Sequence, residues 1–183
     1  MSSDDEIANC YITASDIGIH VKGGNNRVVN CKVYQNGRER IAGTSNITSE
    51  NPAVLVSGNR NSIIGCDIQE NYANGIEIRG FNNRVDVVCD ANGYISEVNK
   101  NGVLISDETY GGYNNIVNIV ACNHTSVVKQ DKGLAFKNDS HGTIANIYAV
   151  VTEDKQIIGM NEKDVPDGNV VVHNGIIWNQ SKT

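Results

Sequence analysis

Proline and large aromatic residues are scarce in this chain: its 183 residues hold 2 Pro, 2 Phe and 1 Trp. No apolar run approaches the roughly 20 residues that a membrane-spanning helix needs, so membrane insertion is not expected. Long amphipathic stretches of Leu, Ala, Glu and Lys, which build helices, are missing too. There is no basic excess either. Lys and Arg total 15 against 21 Asp and Glu, a net charge of −6. That balance opposes broad phosphate binding, and nucleic acid is not an expected partner. The opening "MSSDDEIANC" is acidic and polar, unlike the apolar core of a secretory leader. It reads as a start placed just ahead of a repeat.

What is abundant is Asn, with 26 residues, and Gly, with 18. Both tolerate the positive φ of tight turns. Val and Ile are plentiful, and 39% of the chain is hydrophobic, enough for one ordinary domain with a core. Together these features predict many short strands joined by many turns.

The strands recur. "GIHVKGGNNRVVNCKV" (Gly18–Val33) matches "AVLVSGNRNSIIGCDI" (Ala53–Ile68) slot for slot. Its second half returns as "IANCYI" from Ile7, "IVNIVA" from Ile116 and "IANIYA" from Ile144, with "RVDVVCD" from Arg84 a looser copy. Its first half returns as "GIEIRG", "GVLISD" and "GLAFKN" from Gly75, Gly102 and Gly133. A fixed period with two short strands per repeat is the mark of a solenoid.

Alternation assigns the faces. Ile19/Val21, Val54/Val56, Ile76/Ile78, Val103/Ile105 and Leu134/Phe136 are expected to point in. His20/Lys22, Leu55/Ser57, Glu77/Arg79, Leu104/Ser106 and Ala135/Lys137 are expected to point out. In the other strand Ala8/Cys10/Ile12, Val29/Cys31/Val33 and Ile64/Cys66/Ile68 are expected inward. In the Arg84 copy that register would bury Asp86 and Asp90. A one-residue slip with a bulge, burying Val85, Val87 and Cys89, avoids the cost of an unpaired carboxylate. Cys10, Cys31 and Cys66 share one inward slot, which reads as a buried thiol ladder and not a metal site. The Asn25/Asn26, Asn82/Asn83 and Asn114/Asn115 pairs read as turns with side-chain ladders.

This pattern of coils resembles the right-handed parallel β-helix of the pectin-lyase-like superfamily from about Ile7 to about Val151, and most resembles a bacteriophage tailspike or appendage segment. The resemblance implies an all-β, single-stranded right-handed parallel β-helix of about six to seven coils over residues 1–151. Residues 152–183 would supply a last coil, a cap or the start of a following segment. It implies binding, and in one reading depolymerisation, of a host surface polysaccharide. It also implies a homotrimer and a virion location after synthesis in a reducing cytoplasm. A free-standing extracellular lyase, epimerase or hydrolase and a non-catalytic shaft are the alternatives. The motif sets of pectate lyases, polygalacturonases and mannuronan epimerases are absent, and no cofactor or metal is expected.

Candidate site residues lie on the outward face of the first strand type. Glu77 faces an acidic turn one coil later, and Glu77 with Asp107 or Glu108 forms a carboxylate pair of the kind that hydrolyses glycosides. Arg79, Lys22 and His20 are placed to bind substrate, Arg79 or Lys22 by neutralising a uronate. Tyr34, with Tyr11 and Tyr148, faces outward elsewhere and could stack on sugar rings or pack on a second subunit. The unequal loops Asn36–Pro52, Tyr94–Asn101 and Asp107–Asn115 could wall a groove.

Overall fold

Parallel strand pairing dominates the computed structural model, which describes residues 1–37, 51–93, 101–106, 112–123, 130–137, 140–149 and 165–179. Among these residues the chain is all-β, with no helix. The first repeat contributes β1 (Glu6–Ala8), β2 (Tyr11–Thr13) and β3 (Ile19–Val21), and the second β4 (Arg27–Val29), β5 (Lys32–Tyr34) and β6 (Val54–Val56). Then β7 (Ser62–Gln69), β9 (Arg84–Asp90), β11 (Ile116–Cys122) and β13 (Ile144–Ala149) alternate with β8 (Ile76–Ile78), β10 (Asn101–Ser106) and β12 (Lys132–Lys137). The described chain ends with β14 (Val170–His173) and β15 (Ile176–Asn179).

The larger sheet runs β1-β4-β7-β9-β11-β13-β14-β15, with β2 on β5 and β5 on β7; the smaller runs β12-β10-β8-β6-β3. From β2 to β13 the chain moves back and forth between the two. Their inward side chains form one buried cluster. Equivalent repeat positions stand in register, as in Ile7↔Val28↔Ile63↔Val85↔Val117↔Ala145↔Val171. The tail from Val165 stays in this architecture, because β14 extends the large sheet parallel to β13. It then reverses at Asn174-Gly175, both at positive φ, so that β15 pairs antiparallel. An Asn-Gly pair suits a tight hairpin turn whose twist matches the strands.

Two face assignments need correction. In the early repeats Ile7, Val28 and Ile63 point in, not Ala8, Val29 and Ile64; Val28 is 1% exposed while Val29 is half-buried. Asn9, Asn30 and Gly65 adopt positive φ in the middle of the slot and insert one extra residue, so that Cys31 and Cys66 still reach the core. The irregularity against β9 lies opposite the Asp86–Val87 step, where a bulge was expected, but the extra residue is Gly65 of the facing strand β7. Val85, Val87 and Cys89 are buried as expected. Asp90 is buried nonetheless, hydrogen-bonded to Cys122 opposite it in β11. In the small sheet Leu55, Glu77 and Ser106 are also buried, although they alternate away from the core.

The thiol ladder is shifted as well. Cys31, Cys66 and Cys89 are buried, whereas Cys10, in the first repeat, is exposed. Burial pushes the Cys66 thiol up to about 11 and the Cys122 thiol up to about 12. Thiolates are the reactive form, so these groups are inert. With a thiol reagent at pH 8, Cys10 should react at once and Cys31, Cys66 and Cys89 only after denaturant. Rapid reaction of Cys66 in the native protein would show that the core is open.

The Asn pairs divide their work. Asn25, Arg60, Asn82 and Asn114 take positive φ, and the residue after each is a buried Asn. Asn26 N donates to Asn61 Oδ1 at 2.8 Å, Asn61 N to Asn83 Oδ1 at 2.9 Å and Asn83 N to Asn115 Oδ1 at 2.9 Å. Each Asn side chain also donates to a backbone carbonyl, those of Ser2, Gly23, Gly58 and Gly80 in turn. A second ladder along the other side of the large sheet joins Asn36, Asn71, Asn92 and Gln130. The first ladder breaks at Thr143, whose Oγ1 is buried without a hydrogen-bond partner, and resumes where Thr143 N donates to Asn169 Oδ1 at 2.9 Å. Thr143→Asn should close the break and stabilise the fold by about 1 kcal/mol, the net worth of a typical hydrogen bond. An unchanged or lower melting temperature would show that the slot cannot take an amide.

Candidate functional site

The outward row of the small sheet reads His20↔Leu55↔Glu77↔Leu104↔Ala135 across β3, β6, β8, β10 and β12. One step further along come Lys22, Ser57 and Arg79. Ser57 N donates to Val21 O at 2.9 Å, and Arg79 N to Val56 O at 2.8 Å. The backbone thus brings His20, Lys22, Glu77 and Arg79 onto one face, as the alternation predicts.

Their environment differs from an open surface. Glu77 is 5% exposed, set in the row between two leucines. It accepts a hydrogen bond from Arg79 Nε at 2.7 Å. A buried carboxylate needs such a partner to stay charged. The expectation of a solvent-facing acid is therefore corrected: period-two alternation names the face but not what flanks the side chain. Asp107 and Glu108, the proposed carboxylate partners of Glu77, lie outside the described residues.

His20 Nε2 stands 3.0 Å from Ser57 Oγ. Its pKa is lowered, first by burial and then by the positive charges of Lys22, the N-terminal amine and Arg79. A depressed imidazole contributes stability that is present above its ordinary value near 6.5 and is lost as pH falls through the lower folded value. Acidification from pH 7 to 5 should lower the melting temperature, and His20→Gln should flatten part of that fall. An identical pH profile in the variant would remove His20 as a contributor. His173, also depressed by burial, accounts for another part.

Tyr34 is not part of this cluster. It lies on the outer face of the large sheet, 6.3 Å from Tyr11 between ring centroids, and accepts a hydrogen bond from Gln35 Nε2 at 2.8 Å. Its phenol pKa is raised, chiefly by a hydrogen bond to Glu70.

The same outer sheet face carries a concavity of about 320 Å³ that the candidate residues did not include. Its floor is the in-register row Asp86↔Asn118↔Asn146, with Asn146 Nδ2 donating to Asn118 Oδ1 at 2.8 Å. Val120 and Tyr148 stand beside it, and Val172, Asn174 and Gly175 close one end. Tyr148 is 62% exposed. Toward the first repeats this face is ionic, with Arg27 on Glu6 at 2.7 Å; toward the last it presents Ile116, Ile144 and Val120 to solvent. The sequence signal was there in "IVNIVA" and "IANIYA", whose outward slots place an Asn beside Val120 and Tyr148. A strip of amides beside an exposed ring offers hydrogen bonds and a stacking surface together. Among the described residues no group of His, Cys, Asp and Glu is placed to hold a metal ion. No family model, curated protein or solved structure matches the chain.

Proposed function

We propose that the chain is a segment of a right-handed parallel β-helix of six to seven coils, like those of bacteriophage tailspikes, and that it binds a host cell-surface polysaccharide. The β-helix reading is supported by strands that alternate between two parallel sheets around one core, with Asn ladders at the turns. The observation that carries the binding reading is the Asp86–Asn118–Asn146 groove beside Tyr148. It crosses successive strands spaced about 4.8 Å apart, a repeat close to the length of one sugar unit in an extended chain. A polymer lying along the stack meets Asp86, Asn118 and Asn146 at successive steps. Affinity electrophoresis against capsular and wall polysaccharides tests this. Tyr148→Ala should weaken binding about five- to tenfold, the worth of one stacked ring. A retained polysaccharide that ignores Tyr148→Ala would move the site elsewhere. Analysis of chain length and of unsaturated ends then separates hydrolysis, elimination and plain binding. Glu77 and Arg79 lie on the outer face of the other sheet and are not contacts of this groove.

A second reading is favoured by the exposed Ile116, Ile144 and Val120, which a neighbouring copy in a virion-borne homotrimer would cover. Light scattering should then give about three times the 19.8 kDa chain mass, and a monomer at high concentration would oppose it.

A further inference from the structure

The polar row on the floor of the large-sheet groove stops at a defined point. Asp86, Asn118 and Asn146 stand in register, and the next strand, β14, places Val172 opposite Asn146. The amides have a sense. Asn146 Nδ2 donates to Asn118 Oδ1 at 2.8 Å, and no described residue donates to Asn146 Oδ1. A planar amide that turns its nitrogen to one neighbouring strand turns its oxygen toward the other, and there Val172 has no polar side-chain atom to continue the row. We infer that this end of the groove is a subsite for an acetamido group, so that the bound saccharide carries N-acetylhexosamine units. The inference rests on the saccharide reading above and adds to it which class of sugar the groove selects.

An acetamido group matches what this end of the row offers. Its N–H can donate to Asn146 Oδ1 as one more rung, while its methyl rests on the half-buried Val172. Tyr148, exposed at the rim, meets the pyranose ring at the same time. A hydroxyl in the acetamido position could donate to the same oxygen but would leave Val172 facing water. Asn174 cannot supply the missing rung from within the protein. Its amide is committed to Ala149, accepting from Ala149 N at 2.9 Å and donating to Ala149 O at 3.4 Å. Charge points the same way. Asp86, the one charged lining residue among those described, is faced by Arg84 Nη2 at 3.9 Å, so a neutral substituent suits the groove.

The test titrates the whole chain by NMR with matched probes. These are the methyl glycosides of N-acetylglucosamine and N-acetylgalactosamine, and those of glucose and galactose, which bear a hydroxyl in the acetamido position. An acetamido glycoside should bind about three- to tenfold more tightly than its hydroxyl counterpart, the order of one covered methyl group. Val172→Asn removes that apolar floor and supplies the missing rung from the protein, so it should bring the pair to equal affinity. Should this variant lose its native melting transition, the near-isosteric Val172→Thr makes the same comparison and should narrow the gap. A preference that survives the substitution would overturn the inference. Equal binding of each pair by the unaltered chain would also overturn it while leaving the saccharide reading standing. The same holds if no glycoside binds but a polysaccharide is still retained through Tyr148. No glycoside bound and no polysaccharide retained would remove both readings.

Discussion

Val56→Asp should unfold the described repeats as a unit. Val56 is 0% exposed in β6, flanked in register by Val21 and Ile78 inside the continuous core. A carboxylate there has no partner, and burial of an unpaired charge is among the few changes that cost more than about 4–5 kcal/mol. That is comparable to the whole stability of many domains, about 5–15 kcal/mol. Ser57→Asp, one residue along, puts the same charge on the outer face near Lys22 and Arg79 and should cost little. Thermal melts of the two variants make the comparison. Equal losses would mean that inward and outward have been exchanged in the small sheet.

Asn83→Ala should be the next most damaging. The Asn83 side chain accepts from Asn61 N at 2.9 Å and from Asn61 Nδ2 at 3.1 Å, and donates to Gly58 O at 3.1 Å and Asn115 Oδ1 at 3.2 Å. Truncation strands several buried polar groups at once. Each costs about 1–3 kcal/mol, though not additively, so a loss of roughly 3 kcal/mol or more is expected. Asn118→Ala also removes an amide-to-amide bond, to Asn146, but at the outer surface where water can replace it. Its cost should be within about 0.5 kcal/mol. Urea denaturation reads both. A small effect at Asn83 would show that water enters the turn and takes over the ladder.

Strand identity, parallel repetition and the column of Asn pairs at one turn were legible from sequence; the second column, Asn36, Asn71, Asn92 and Gln130, was not. The legible features depend on local rules: β-branched pairs favour extended backbone, and Asn or Gly accept positive φ. The slot counting failed at Asn30 and Gly65 because the extra residue in each repeat is a backbone event. A strict period of two cannot register a residue whose side chain leaves the alternation.

For the candidate site, the sequence by itself determined which face His20, Lys22, Glu77 and Arg79 share, because side-chain direction in a strand is set by parity. Only the tertiary structure decided what that sharing means. Leucines on the adjacent strands turn Glu77 from a surface acid into a buried, ion-paired one, and Ser57, 37 residues from His20, becomes its hydrogen-bond partner. The groove at Asn118 and Asn146 likewise exists only when strands 28 residues apart are laid side by side. Parity is a property of one strand, whereas burial, pairing and concavity are properties of neighbours brought together by the register.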